Sequence, residues 1–217
     1  MTPITPTISD RTRLLEIIAA GLTAVGKILF INTWDFRAPY IVISILGWVA
    51  YIVYRTRKNP ELLSYWGLAT DGFQSTFLRL LPIALACCAL FVAAGFYFQT
   101  EVIDHTLIYI LLLYPIWGIV QQFLVLGIFS RNLKDGFGGR KPDAFVIAVT
   151  ALLFAVIHYP SPLLIAATFP LAIVYTWLFL RGSNILALGV YHGWLGGVFF
   201  YTILGRNPWM EAFGQLF

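Results

Sequence analysis

TLIYILLLYPIWGIVQQFLVLGIFS, residues 106–130, is 25 residues long and carries no charged side chain. A helix rising 1.5 Å per residue needs about 20 apolar residues to cross the ~30 Å hydrocarbon core of a bilayer. This stretch is long enough, so the fold it dictates is a transmembrane helix. Only the Gln121-Gln122 pair interrupts its apolar centre with strongly polar groups. A polar side chain at membrane depth costs free energy unless it finds a partner, so such residues face a bundle interior or a wet cavity. His158 and His192 pose the same question inside two further apolar stretches.

The rest of the chain fits that reading. Of 217 residues, 59% are hydrophobic and 11% charged, with a mean hydropathy of +0.82. A soluble domain carries about 25% charged residues, so the composition specifies an integral membrane protein. Seven spans are expected, over residues 14–33, 39–54, 76–99, 106–130, 143–159, 163–180 and 184–204. Glu16 and Lys27 weaken the first, which could instead lie partly in the interface. Residues 55–75 read as an amphipathic segment on the membrane surface. Trp34, Trp66 and Trp209 sit near the ends of apolar runs, as interfacial belts do. The fold class is therefore an all-α polytopic bundle. It forms one membrane domain, in which residues 1–105 flank a core at 106–204.

Charge placement orients the bundle. With a cytoplasmic N-terminus, the inner segments hold Arg11, Arg13, Arg55, Arg57, Lys58, Arg131, Lys134, Arg140, Lys141 and Arg181, and the outer ones only Arg37 and Arg206. A formal charge of +4 is too small to argue for nucleic acid. Cys87 and Cys88 are adjacent in an apolar run and read as packing residues. The N-terminal MTPITPTISDRTR lacks a signal-peptide pattern, so the first apolar segment is expected to be retained. The final GQLF is no lipidation box.

Two features act on the core. Pro160 and Pro162 break the chain just after His158, because proline lacks a helix donor and clashes with the preceding turn. Gly189, Gly193 and Gly197 recur every four residues beside His192, a smooth stripe that lets a neighbouring helix approach. Counted from the cytoplasmic loops, Gln122 and His192 lie roughly 15 Å deep and His158 roughly 20 Å, compatible with one cavity.

In order, QQFLVLG, FAVIH and RGSNILALGVYHGWLGG resemble the three motifs of the CPBP (CAAX protease and bacteriocin-processing, or Abi) intramembrane endopeptidases: EExxxRG, FxxxH and HxxxN or HxxxD. The resemblance covers about half the chain. By position, Gln121 and Gln122 stand where the family has two glutamates. Leu126 takes the place of its arginine, and Gly196 that of its Asn or Asp. Phe154, His158 and His192 match. The resemblance implies a hydrolase of the bacterial cytoplasmic membrane, with Gln121, Gln122, His158 and His192 at the catalytic positions and Leu126, Phe154 and Gly196 at cavity positions. Expected partners are membrane lipid and a membrane peptide, prenylated peptide or partner protein.

In the family a glutamate is thought to act as general base on water, and the Asn to help stabilise the oxyanion. A glutamine amide cannot usefully accept that proton. Neutral glutamines need no buried arginine beside them, and a lost oxyanion donor removes a few kcal/mol of transition-state stabilisation. Two histidines with neutral amides make a poor metal set, so no cofactor or metal is expected. Two readings follow. In one, His158 or His192 replaces the glutamate as base, since histidine has a suitable pKa. In the other, the chain is a non-catalytic scaffold whose cavity binds a peptide, lipid or partner. Against both stands the view that these polar residues simply cross-link helices.

Overall fold

A computed structural model describes residues 6–214 as helices joined by short turns, with no strand among them. The remaining residues, 1–5 and 215–217, lie outside the described chain, and with them the first five residues of the N-terminal stretch and most of the GQLF end. Helix α1 (Asp10–Gly26) runs on without a break into a π-helical segment, Lys27–Thr33. It is followed by α2 (Arg37–Lys58), the single turn α3 (Leu62–Tyr65) and α4 (Phe73–Phe98). Helix α5 (Leu107–Gln122) continues through a π-helical stretch, Phe123–Ser130, into α6 (Arg131–Asp135). Then come α7 (Asp143–Val156), α8 (Pro162–Leu180), α9 (Ile185–Thr202) and α10 (Pro208–Phe213).

Six of the described helices are long and apolar enough to cross a membrane: Asp10–Thr33, Arg37–Lys58, Phe73–Phe98, Leu107–Asp135, Pro162–Leu180 and Ile185–Thr202. The fifth expected span is shorter than its apolar sequence suggests. It ends at Val156, and its 14 residues reach about 21 Å, short of the hydrocarbon thickness. The cause lies in the following turn, where the amides of His158 and Tyr159 bond to Ala155 and Val156 in tight loops rather than extending the helix. Ser161 then caps α8 by accepting from the Leu164 amide, with Pro162 at the first helical position.

Helices α5 and α9 make the most extensive pairing in the bundle. The glycine stripe explains it. A Cβ on Gly193 would lie 2.7 Å from the Pro115 backbone, one on Gly189 2.5 Å from Ile119 Cα, and one on Gly197 2.7 Å from the Ile110 side chain. Pro115 also lacks the amide that would bond to the Leu111 carbonyl, four residues back. The indole Nε1 of Trp194 donates to that carbonyl at 2.9 Å. The bond fixes the rotation of α9 against α5, and with it the direction of His192 two residues earlier. At the start of α9, the Asn184 side chain accepts from the Leu186 and Ala187 amides and donates to the carbonyls of Ala69 and Asp71.

Trp66 departs from its expected interfacial place. It is fully buried, as is Leu62, and its ring packs edge-on against Phe123 with Tyr51 beside it. Glu16 is likewise inside the bundle at 3% exposure. Its carboxylate accepts from Arg55 at 2.6 Å, Tyr51 at 2.5 Å and Asn132 at 2.6 Å. Arg13 donates to Asn132 and to Tyr65, and the Tyr65 hydroxyl donates to Asp135. Burial pushes the Tyr65 phenol up to about 12, which keeps it a donor. One polar cluster thus ties α1, α2, α3 and α6 together. Arg37 and Arg206 meet elsewhere, both paired with Glu211 of α10.

Candidate functional site

A half-open cavity of about 740 Å³ lies between the core helices and the flanking ones. Its wall is mainly apolar and includes Gln121, His158, His192 and Gly196. Four of the residues singled out from the sequence are therefore brought together, from α5, the turn after α7, and α9.

The two glutamines part company. Successive residues on a helix point about 100° apart, so one face cannot present both. Gln121 Oε1 accepts from His192 Nε2 at 2.9 Å, while Gln122 is buried at 2% exposure and is not part of the cavity wall. Because the amide oxygen only accepts, His192 carries its proton on Nε2. Its Nδ1 is buried and has no hydrogen-bond partner.

His158 is fixed by its own helix end. Its Nδ1 donates to the Phe154 carbonyl at 2.6 Å, one of the acceptors that helix termination leaves open. The unprotonated Nε2 is left as its basic atom. The Phe154 ring meets His158 edge-on at 4.8 Å and His192 at 5.3 Å between centroids. Phe154 is thus the common wall of both imidazoles, and at 1% exposure it is itself immobilised by packing.

The remaining motif positions are apolar or bare. Leu126 is 1% exposed and packs among Phe154, Phe179, Leu188 and Tyr191. Gly196 lines the cavity, and a Cβ there would meet only the edge of Tyr114, at an ordinary 3.6 Å. No Asp or Glu lines the cavity among the described residues, and no three His, Cys, Asp or Glu side chains gather there to hold a metal.

One participant escaped the sequence reading. Lys27, a charged interruption of the first apolar span, lines the cavity and donates to the Ile157 carbonyl at 2.6 Å. Asn32 donates to the Tyr159 carbonyl at 3.1 Å. The π-helical end of the first span therefore clamps the turn that carries His158. An ionisable residue in an apolar span was the available signal; its target, 130 positions away, was not readable.

Residues 103–198 match the family model described as type II CAAX prenyl endopeptidase Rce1-like. The matched segment covers less than half of the chain and is similar to that family's core. Every motif position discussed above, from Gln121 to Gly196, falls inside the matched segment. No curated protein and no solved structure gave a match. With its six long apolar helices, the protein is a multi-pass membrane protein whose residues 103–198 resemble CAAX prenyl endopeptidases.

Proposed function

We propose that this CAAX-type membrane protein keeps the substrate cavity of an intramembrane endopeptidase but not the family's carboxylate-driven hydrolysis. The observation that carries the proposal is the cavity wall, which presents Gln121 where a general base is needed and no Asp or Glu in its place. An amide accepts the His192 proton as a hydrogen bond and cannot take a proton from water at neutral pH. Gly196 offers no side-chain donor to an oxyanion, and Leu126 fills the arginine position with hydrocarbon. Proteolysis is therefore impaired, or altered so that a histidine supplies the base.

For the altered route, His158 is the residue to carry the proton. Its Nδ1–H is held by Phe154, which leaves Nε2 to accept, and that orientation favours His158 over His192, whose Nε2 is occupied. The non-catalytic route uses the same cavity to seat an apolar peptide, a prenyl group or a partner's membrane segment. We place the protein in a bacterial cytoplasmic membrane with its N-terminus inside, residues 106–204 forming the core and residues 1–105 flanking it. Cleavage of a prenylated reporter peptide by purified protein tests the proposal. A rate unaffected by both His158→Ala and His192→Ala, and equal to that of a Gln121→Glu/Gly196→Asn variant, would rule it out.

A further inference from the structure

The cavity has a charged wall that hydrolysis does not use. Lys27, Arg37 and Arg206 all line it, and no carboxylate does among the described residues. Glu211 answers part of that charge from α10, pairing with Arg37 at 2.8 Å and with Arg206 at 2.6 Å. Glu211 divides its single carboxylate between the two arginines. Lys27 spends its hydrogen bond on the neutral carbonyl of Ile157, and the buried Nε of Arg37 has no partner. Cations at an apolar wall are costly without a counter-charge, and in membranes such residues mark ligand sites. The rest of the wall is hydrocarbon, from Ile41 and Leu80 to Leu171 and Val174. Its volume falls within the range of about 300–1,000 Å³ typical of small-ligand pockets.

We propose that this cavity binds a single-chain anionic amphiphile. A carboxylate or phosphate head meets Lys27, Arg37 and Arg206, and the alkyl chain lies along the apolar wall. The alternative, three side chains reaching for interfacial water, leaves the buried Arg37 Nε unsatisfied. This binding is independent of whether the histidines hydrolyse anything, so it is measured without turnover.

The experiment is calorimetric titration of the purified full chain in neutral detergent with palmitate, hexadecyl phosphate and hexadecanol. The expected result is that at least one anion binds about tenfold or more tightly than hexadecanol, as charge-assisted hydrogen bonds allow. Preference for palmitate identifies a carboxylate head, and preference for hexadecyl phosphate a phosphate head. Lys27→Met should abolish the preference and Lys27→Arg should keep it. Should Lys27→Met fail to fold, Arg37→Gln makes the same test from a different helix. Equal affinity of the wild type for the alcohol and both anions would overturn the proposal, as would a preference that survives in every folded charge-removing variant.

Discussion

Gln121 on α5 and His192 on α9 are joined by a single hydrogen bond of 2.9 Å, 71 residues apart in sequence. That bond sets the tautomer of His192 and links the two most closely packed helices at the cavity. Gln121→Leu removes the acceptor and leaves a buried N–H unpaired, at a cost of about 1–3 kcal/mol. Thermal unfolding in detergent should show that loss. Gln121→Glu should keep the wild-type stability or exceed it, because a carboxylate accepts the same bond.

Leu126 shows what a charge would cost at its position. It lies in a sealed apolar cluster, so Leu126→Arg alone buries an unpaired charge and should cost about 3–5 kcal/mol. Gln122 lies four residues before it, on the same side of the helix. Combining Leu126→Arg with Gln122→Glu should recover part of the loss, and a double-mutant cycle measures the coupling. Strict additivity would separate the two positions.

The glycines of α9 should divide by what faces them. Gly193→Ala drives a methyl into the Pro115 backbone and should destabilise by about 1–3 kcal/mol. Gly196→Ala meets open cavity and should be neutral or stabilising by up to about 1 kcal/mol, since alanine is the better helix former. Unfolding midpoints of the two variants make the comparison.

Glu16→Gln withdraws the counter-charge of Arg55 from a nearly sealed site and should cost about 3 kcal/mol. Glu211→Gln breaks more exposed pairs and should cost less than about 1 kcal/mol. Denaturant titrations of the two proteins give the ratio.

Much of this architecture was legible in the chain because its causes are local. Apolar length marks each long span, and glycines at four-residue spacing announce a close helix approach without naming α5 as the partner. Pro160 and Pro162 locate the break after His158. The order of the three motifs placed Gln121, His158 and His192 near one another. What stayed hidden depends on distant groups or on register. Neither π-helical segment has a sequence signature, and rotation about the α5 axis decides that Gln121 rather than Gln122 reaches the cavity. Trp66 looks interfacial by position, yet Phe123 and Tyr51 enclose it. Lys27 was visible as an oddity, but nothing near it in sequence points to Ile157.

The central claim is that the cavity survives while its carboxylate base does not. Purified wild-type protein, a His158→Ala variant and a Gln121→Glu/Gly196→Asn variant should be compared for cleavage of a prenylated reporter peptide at neutral pH. The account predicts little or no turnover by the wild type, any residue of it lost in His158→Ala, and a clear gain in the glutamate-bearing variant. Wild-type cleavage as fast as that variant's, and indifferent to His158→Ala, would contradict it.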